Sequence, residues 1–331
     1  MSPFKIIVMR KKPVVVDVSE IFKVAGICYA PVNITQTTGM YPHKPRLEDN
    51  WSYYTAVGLT NLFKLGVRPR TAAIVGIGSG VEGVAATKVF RDSLRTLTIT
   101  DVDNVVVNRA RENITDNLTK PTNIRVRSLI GSFCEPLTNQ EIRADLIHAN
   151  IPNLPTAKGT NLRGGAEKGT FLRPKMYLSY NPPNKYIELA LGAQYAYIKS
   201  ASRAITVHGS VITEVGGRVP LFLLKELFEE NGIKCEEVLV GFKEQTEALI
   251  DFTGYHRFEE EYGVEFDFYL YKDGLKTLRD SGISGNITDI SGGELKRLLK
   301  PYRVTAGKAI ELFHKGIAVG HTVHILKGTR V

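Results

Sequence analysis

The sequence is short of the residues that stabilise secreted and membrane-bound proteins. Its 331 residues include three cysteines, at the distant positions Cys28, Cys134 and Cys235. An odd number of widely spaced cysteines argues against a disulfide framework and leaves no CxxC pair for zinc. No stretch approaches the roughly 20 apolar residues that a membrane-spanning helix needs. We therefore expect free thiols, no metal site, no membrane contact and a cytoplasmic location.

Negative charge is also scarce, and its shortage is uneven along the chain. The sequence has 34 Asp and Glu against 43 Lys and Arg, a formal charge of +9. Residues 272–331 carry 11 Lys and Arg against 5 Asp and Glu, which supplies +6 of that excess. A basic tail can bind RNA, although many such segments are solvated helix faces. A small molecule is therefore the favoured partner and nucleic acid the less favoured one.

Hydrophobic residues make up 43% of the chain, enough for a sizeable core, and their spacing indicates an α/β fold. Strand-like and helix-like periods alternate after residue 65 in the order that a parallel sheet requires. The predicted strands cover residues 71–75, 97–100, 124–128, 144–149 and 205–214. The predicted helices cover residues 81–90, 104–118, 185–204 and 221–230.

The end of this pattern predicts one antiparallel strand. Predicted strands 236–240 and 265–271 are separated only by the polar segment 241–263, so they should form a hairpin. The pattern therefore predicts a Rossmann-like α/β fold with a seven-stranded sheet that is mostly parallel and has one antiparallel strand. We expect an N-terminal cap over residues 1–65, the α/β domain over 66–272 and a small basic appendage over 273–331.

The string AAIVGIGSGVEG carries the clearest functional signal. An apolar strand runs into Gly76, Gly78 and Gly80, and a helix follows. Glycines allow a sharp turn and close approach to a ligand, and a helix N-terminus offers unpaired N–H donors. The loop predicts a nucleotide-binding site. Gly78, Gly80 and Gly83 also satisfy G-x-G-x-x-G, so a dinucleotide is an alternative at this point.

Acidic and aromatic residues follow the next two strands. Asp101 lies at a strand end, where a carboxylate can accept both ribose hydroxyls of an adenosine. Asp103 is the fallback, although its position before a helix is typical of an N-cap. Ser132 and Phe133 follow the third strand and would contact adenine, the Phe by stacking; a core role for Phe133 is the alternative.

The fourth strand ends in HANIPNLP, which places Asn150 where open α/β folds bind their ligands. The loop resembles the catalytic motif of amino-methyltransferases, Asn-Pro-Pro followed by an aromatic residue. Here Asn150 is followed by Ile151, Pro152 and Asn153, so the aromatic is missing and a nitrogen substrate is in doubt. The similar string SYNPPNKY at 179–186 is either a second such motif or a bend before a helix.

With these residues together, the chain resembles the N-terminal catalytic domain of plant methionine S-methyltransferases and their bacterial relatives, from about residue 48 to 271. The likeness is carried by the glycine loop, NIPNLP, EDNWSYYTAVGL, EVGGR with LLKELFEENG, and ALIDFTGYHRFE. It implies a class I methyltransferase fold and S-adenosylmethionine as cofactor. Ser132 stands where such enzymes usually carry an acid, and residues 273–331 have no counterpart.

The resemblance also implies roles for single residues. Trp51, Tyr53 and Tyr54 would help to enclose the cofactor, Asp101 would hold its ribose, and Asn150 would face the reacting centre. A thioether substrate is neutral and loses no proton, so no general base is required.

Further residues are candidates for the amino-acid end of a substrate. Glu214 and Arg218 offer opposite charges, unless they pair with each other. Tyr177 and Tyr180 would wall a sulfonium by cation–π contact, and His256 would line the substrate pocket.

The predicted activity is methyl transfer to a small amino-acid-like substrate, with S-methylation of methionine as the specific expectation and a homodimer as the expected assembly. Azetidine-2-carboxylate synthases, which cyclise S-adenosylmethionine, are the close alternative. An RNA methyltransferase that uses the basic tail and an NAD-dependent dehydrogenase are the others.

Overall fold

A computed structural model describes residues 13–156, 162 and 165–330. Within these residues the chain forms short and long strands that alternate with helices. The strands are β1 (Val14–Asp17), β2 (Asn33–Gln36), β3 (Thr71–Val75), β4 (Thr96–Asp101), β5 (Arg125–Ile130), β6 (Ala144–Ala149), β7 (Leu154–Pro155), β8 (Phe171–Leu172), β9 (Ile205–Gly216), β10 (Ile233–Glu244), β11 (Phe268–Leu270), β12 (Ile287–Thr288), β13 (Arg303–Val304) and β14 (Val319–Arg330).

The helices occupy the intervals between these strands. They are α1 (Ser19–Val24), α2 (Trp51–Lys64), α3 (Val81–Val89), α4 (Asn104–Asp116), α5 (Glu135–Asn139), α6 (Gly165–Thr170), α7 (Lys175–Leu178), α8 (Asn184–Glu188), α9 (Gly192–Ala204), α10 (Leu221–Glu229), α11 (Ala248–Tyr262), α12 (Tyr271–Asp280), α13 (Gly292–Leu299) and α14 (Ala306–His314). No described helix is long and apolar enough to cross a membrane.

One large twisted sheet forms the centre of the protein. Its main path runs β12-β10-β14-β9-β6-β3-β4-β5. Pairing from β9 to β5 is parallel, whereas β14 pairs antiparallel with β9 on one side and β10 on the other. Seven strands from β10 to β5, with one of them reversed, form the Rossmann-like arrangement of class I methyltransferases. The predicted fold class is confirmed.

Both faces of the sheet are covered, because its strands carry apolar residues on both sides. In β3, Ala73 and Val75 belong to the core shared with α9, α10 and α11. The alternate residues Ala72 and Ile74 belong to the core shared with α2, α3 and α4. Side chains two residues apart lie on the same face of a strand, so β3 contributes to both cores at once. A central parallel strand buried in this way reads as a continuous apolar run.

The predicted C-terminal hairpin is wrong. The partners of β11 are β13 and β14, and residues 241–263 include the helix α11 rather than only a polar loop. The antiparallel strand is β14, which the sequence analysis assigned to an appendage. Because β14 lies between β9 and β10, the expected boundary at residue 272 cuts through the central sheet. The central sheet therefore includes β14, which connects β9 to β10.

The predicted helix over 185–204 consists of two helices. Ala190 has a φ of 54° and lies between α8 and α9. A left-handed residue cannot continue a right-handed helix, so the chain changes direction there. The second helix, α9, is buried along nearly its whole length against the sheet.

The N-terminal segment is attached to the sheet beside the glycine loop. Strands β1 and β2 form a hairpin, and Asn113 on α4 connects β2 to the loop after β3. Its side chain accepts a hydrogen bond from the Thr35 N–H at 2.8 Å and donates to the carbonyls of Thr35 and Ser79 at 3.0 and 2.9 Å. Residues before α2 are thereby held over the carboxyl edge of the sheet.

Candidate functional site

A cavity of about 770 Å³ opens at the carboxyl edge of the central sheet. The ends of five neighbouring strands contribute to it, and one predicted residue follows or ends each of them: Gly76, Asp101, Ser132, Asn150 and Glu214. Open α/β sheets bind their ligands at this edge. The structure therefore brings the residues singled out from five separate motifs into one cavity.

The glycine loop forms the floor of the cavity beside α3. Gly76 and Gly78 line it, and Gly78 has a φ of 54° with no atom nearer than 4.0 Å to the position of a Cβ. Gly80 has a different role from the predicted one. It has a φ of 90°, and a Cβ there would lie 3.0 Å from the Ala110 carbonyl oxygen on α4. Gly80 is required for helix packing, and Gly83 likewise faces Ile114.

Asp101 is held at the mouth of the glycine loop. Its carboxylate accepts hydrogen bonds from the backbone N–H groups of Asp103 at 3.0 Å and Gly78 at 3.3 Å. A carboxylate oxygen can accept a second hydrogen bond, so Asp101 retains acceptor capacity for a ligand. Burial raises the pKa of Asp101. Asp103 caps α4 by accepting from the N–H of Val105 at 2.9 Å, which confirms the N-cap interpretation.

Ser132 and Phe133 form the next part of the wall, after β5. Phe133 has a φ of 46° and is buried, and the Tyr180 ring meets it edge-on with centroids 5.5 Å apart. Phe133 therefore serves both the core and the cavity. Its ring position is fixed from behind by Tyr180.

The loop after β6 contributes a continuous segment of wall, from Asn150 to Leu154. The loop is anchored at its far end, where β7 pairs with β8. Asn153 is anchored as well, because its side-chain oxygen accepts a hydrogen bond from Gln194 on α9 at 3.0 Å. Asn150 is therefore presented by a loop that is fixed on both sides.

Trp51 closes another side of the cavity, at the start of α2. Its ring stacks on His321 of β14 with centroids 5.6 Å apart, and the Lys243 ammonium lies 4.7 Å from its centre. Burial lowers the pKa of Lys243 to about 8 and also lowers that of His321. Trp51 is thus fixed by two polar side chains that the sequence analysis did not name.

Arg218 and Glu214 both line the cavity, but each has its own partners. Arg218 donates to the Gln245 side-chain oxygen at 2.6 Å and to the Tyr255 hydroxyl at 3.4 Å, and Asp251 lies 3.7 Å away. The Arg218 Nε has no hydrogen-bond partner among the described residues. Burial raises the pKa of Asp251 to about 6. The alternative of a mutual Glu214–Arg218 ion pair is therefore wrong.

Glu214 belongs to a buried polar cluster with Glu82, His148 and Thr55, which we call the Glu82–Glu214 cluster. His148 Nε2 lies 3.0 Å from Glu82 and 3.3 Å from the Thr55 hydroxyl, which donates to Glu214. One ligand atom each from Glu82, His148 and Glu214 lies within 4.8 Å of the other two, a spacing that a metal ion could also use. Burial, and then the Glu82 carboxylate, raise the pKa of Glu214.

Two predicted aromatic residues on α2 lie behind the cavity rather than on it. Among the residues described, Tyr53 and Tyr54 are absent from its lining. The Tyr54 hydroxyl donates to the Glu48 carbonyl at 3.2 Å, and its ring packs on Tyr53. Tyr53 lies two residues from Trp51, about 200° around the helix, so it points away from the Trp51 face. Tyr54 lies closer to that face but is fully buried.

Three other predicted residues are also outside the described lining. Tyr177 packs against Gly192 of α9, and the Tyr180 hydroxyl donates to Glu135 at 2.9 Å. His256 on α11 lies 3.4 Å from Glu259 and faces α14. The structure thus places neither tyrosine where it would contact a sulfonium in this cavity, and His256 is not in the substrate pocket.

Sequence analysis missed several polar residues that the structure brings to or beside the cavity, among them Glu82, Lys243, Gln245, Asp251 and His321. Glu82 follows the glycine loop directly. Lys243, Gln245 and Asp251 lie in the segment 241–263, which was interpreted as a polar loop. The apolar spacing of Phe252, Tyr255 and Phe258 is typical of a helix and was the available signal.

No protein-family model matches the chain, and no curated protein matches it. Solved structures with a similar fold include the ribosomal protein L11 methylase from Lactobacillus delbrueckii subsp. bulgaricus, at 16% identity and a TM-score of 0.38 over 64% of this chain and 78% of that one. A SAM-dependent methyltransferase from Agrobacterium tumefaciens has 14% identity and a TM-score of 0.40 over 63% and 59% of the two chains.

A third similar structure is the T. thermophilus 16S rRNA methyltransferase in complex with AdoMet and guanosine. It has 15% identity and a TM-score of 0.44 over 68% of this chain and 47% of that one. The matches to this enzyme and to the A. tumefaciens enzyme span less than two thirds of those chains. These likenesses concern the fold alone, which the strand order of the central sheet establishes independently.

Proposed function

We propose that the protein binds S-adenosylmethionine in the main cavity and transfers its methyl group to a small amino-acid-like substrate. The observation that carries the proposal is the convergence of Gly78 and Asp101 with the charged residues Glu214 and Arg218 on one cavity. One end is suited to an adenosine and the other to an ammonium and a carboxylate. S-adenosylmethionine itself has both kinds of group.

The adenosine end of the cavity fits this ligand in its donors and acceptors. Asp101 can accept further hydrogen bonds from ribose hydroxyls, and it lies beside a loop that gives access to its backbone. Phe133 presents a ring supported by Tyr180 for stacking on adenine, and Ser132 adds a hydroxyl. Gly76 and Gly78 leave the loop free of side chains where the ligand would approach.

The opposite end supplies charge complementarity for an amino-acid group. Arg218 is buried, and its Nε lacks a partner among the described residues. An arginine of this kind is suited to a carboxylate, because its planar fork donates two parallel hydrogen bonds. Two residues that line the same cavity, Glu214 and Glu82, supply acceptors for an ammonium.

When bound, S-adenosylmethionine supplies an electrophilic methyl group on a positively charged sulfur. The protein then has to orient a nucleophile and exclude water. Asn150, on its doubly anchored loop, is the residue proposed to face that centre. A thioether nucleophile would need no proton removed. Methionine is therefore the substrate that we propose first, in keeping with the resemblance drawn from the motifs.

Product analysis tests the proposal directly. The purified protein is incubated with S-adenosylmethionine, with and without methionine, and the products are identified by mass spectrometry. S-adenosylhomocysteine and S-methylmethionine, formed only when methionine is present, are expected. Methylthioadenosine formed without any second substrate would instead show cyclisation of the cofactor. Turnover of neither kind with a panel of amino acids would contradict an amino-acid substrate.

RNA is a weaker candidate substrate, because the basic C-terminal residues are largely engaged within the protein. Six of the 11 Lys and Arg in 272–331 form ion pairs with Asp or Glu: Lys276, Lys296, Arg297, Arg303, Lys308 and Lys327. Binding that weakens steeply between low and moderate salt would favour RNA.

A further inference from the structure

Two carboxylates approach each other at one side of the main cavity. Glu82 on α3 and Glu214 on β9 both line it, and their ligand atoms lie within 4.8 Å of each other and of His148. Glu214 is 1% exposed and the Glu82 side chain 13% exposed. Like charges at this distance repel strongly where water is scarce. The pair is therefore stabilised by a proton on one carboxyl group or by a cation between the two.

The described lysines and arginines do not supply that cation. In the part of the chain that the structure describes, no lysine or arginine nitrogen lies within 4.0 Å of either carboxylate. The positive charge of Lys243 on β10 acts on Glu214 from a distance, but its ammonium donates to Thr246 at 3.1 Å and lies over the Trp51 ring. Tyr54 on α2 also faces Glu214, beside Glu82 and His148. The negative charge of the pair is left open toward the cavity.

The cluster also holds an acceptor that nothing in the described structure uses. Thr55 donates to Glu214 Oε2, whereas Glu214 Oε1 is buried without a hydrogen-bond partner. His148 holds Glu82 from the other side through Nε2 at 3.0 Å. A buried acceptor left without a donor is unfavourable, so a ligand that donates to it gains affinity.

A primary ammonium group fits the spacing and the open acceptor. A nitrogen about 2.8 Å from two carboxylate oxygens, with tetrahedral donors, separates those oxygens by about 4.6 Å. The separation in the cluster is at most 4.8 Å. An ammonium has three donors and no acceptor, so it can bond to both carboxylates at once.

A metal ion fits the same residues less well. His148 Nε2 is already engaged with Glu82 at 3.0 Å, and His148 Nδ1 has no partner among the described residues. A metal on Nε2 would place the proton on Nδ1, and a metal-bound histidine normally donates that proton to a neighbouring carboxylate or carbonyl. Here that donor would be buried and unpaired. The cluster therefore favours an ammonium over a divalent cation.

From this geometry we infer that Glu82 and Glu214 form the receptor for the primary ammonium of an amino-acid group bound in the cavity, with Thr55 and His148 as positioning residues. The inference rests on the proposed function. The ammonium belongs either to S-adenosylmethionine or to its amino-acid substrate, and in both cases its positive charge compensates the two carboxylates.

Binding affinities of two matched ligands test the inference without turnover. Calorimetry compares S-adenosylhomocysteine with its deaminated analogue, which keeps the carboxylate but lacks the ammonium. Where the ammonium is that of S-adenosylmethionine, wild-type protein is expected to bind the parent ligand at least tenfold more tightly. Glu82→Gln and Glu214→Gln keep the side-chain shape and remove one charge, so each is expected to bring that ratio close to one.

Glu237→Gln is the matched control. Glu237 is a partly buried carboxylate that pairs with His324 at 3.2 Å, but it is not part of the described cavity lining. It should leave the ratio as in the wild type. Circular dichroism shows whether each variant is folded, and the wild-type ratio alone remains informative if a variant is not.

A second pair of ligands identifies which molecule carries the ammonium. With saturating deaminated analogue present, methionine is compared with its 2-hydroxy counterpart in wild type and in Glu82→Gln. A preference for the amino acid that the variant loses supports the inference and assigns the site to the substrate. Equal affinities in both ligand pairs, or Glu82-dependent binding of Mn²⁺ alone, would overturn it. Failure of wild-type protein to bind S-adenosylhomocysteine at all would instead contradict the proposed function.

Discussion

The carboxylate of Asp101 accepts a hydrogen bond from the backbone N–H of Gly78, 3.3 Å away, across the loops that follow two neighbouring parallel strands. This bond aligns the acid after β4 with the glycine loop after β3 before any ligand arrives. Both residues line the same cavity. A ligand with adjacent hydroxyls and a group that lies against the loop backbone can therefore use both without rearranging them.

Replacement of Asp101 by alanine is expected to weaken S-adenosylmethionine binding by about 1–3 kcal/mol, because hydrogen bonds to a charged acceptor are lost. Calorimetry on both proteins measures the difference. Asp145→Asn is the control, since Asp145 accepts hydrogen bonds from the N–H groups of Arg70 and Thr71 at the opposite edge of the sheet. Equal affinity of Asp101→Ala and wild type would show that the ribose is held elsewhere.

Two glycines of the same loop should respond differently to alanine. At Gly78 the added methyl enters open space in the cavity, so we expect a small loss of stability from its positive φ and a clear loss of ligand affinity. At Gly80 the methyl meets the Ala110 carbonyl oxygen, so we expect mainly a loss of stability, of about 2 kcal/mol. Urea unfolding and ligand titration of both variants separate the effects. A Gly80→Ala variant that is as stable as wild type but binds the ligand more weakly would show that Gly80 contacts the ligand.

Asn150→Ala is expected to reduce turnover at least tenfold, which corresponds to about 1.4 kcal/mol, while cofactor affinity stays near the wild-type value. The reason is that Asn150 is placed at the reacting centre rather than at the adenosine. Steady-state kinetics with methionine and calorimetry with S-adenosylhomocysteine measure the two quantities. Unchanged turnover would move the reacting centre away from the loop after β6.

Lys243 predicts a pH dependence of stability. Its pKa is about 8 in the folded protein and about 10.5 when unfolded, so the unfolded chain binds its proton more tightly. The cost of that burial is present below pH 8 and is relieved as the pH rises toward 10.5. Between pH 7 and pH 10 the free energy of unfolding of wild type should therefore rise by up to about 3 kcal/mol relative to Lys243→Met.

Urea unfolding of wild type and Lys243→Met at both pH values measures this difference. Lys272→Met, at an exposed position, is the control and should track the wild type. A constant difference between wild type and Lys243→Met across that range would show that folding does not lower the pKa of Lys243.

The sequence predicted the parallel half of the fold well, because that half is encoded locally. Strands β3 and β6 were predicted with their observed bounds, and the turn between β3 and α3 followed from its glycines. Each of these segments carries its own apolar run and its own boundary signal. Elements that are encoded by such local patterns do not depend on contacts with distant segments, so they can be predicted from the sequence.

The reversed strand could not be predicted in the same way. β14 is defined by its partners β9 and β10, which lie about a hundred residues away in the sequence. Its residues His321, Thr322 and His324 are polar yet fully buried, so its composition does not read as a central strand. The segment 265–271, which contains β11, was predicted instead as the antiparallel strand because no helix was recognised between it and residues 236–240.

The charged residues around Arg218 were also missed, because distant segments of the chain bring them together. Asp251 on α11 and Lys243 on β10 approach Arg218 from two elements that are distant from it in sequence. Polar residues on a buried face are read from sequence as solvent-exposed. Tyr177 and Tyr180 show the converse error, since aromatic residues next to a plausible motif turned out to support the core and the cavity wall from behind.

Calorimetry of the purified protein with S-adenosylhomocysteine and, separately, with NAD tests the central claim most directly. The cavity between the glycine loop and Asp101 predicts saturable binding of one S-adenosylhomocysteine per chain, weakened in Asp101→Ala, and no binding of NAD. Binding of NAD without any affinity for S-adenosylhomocysteine would contradict the account.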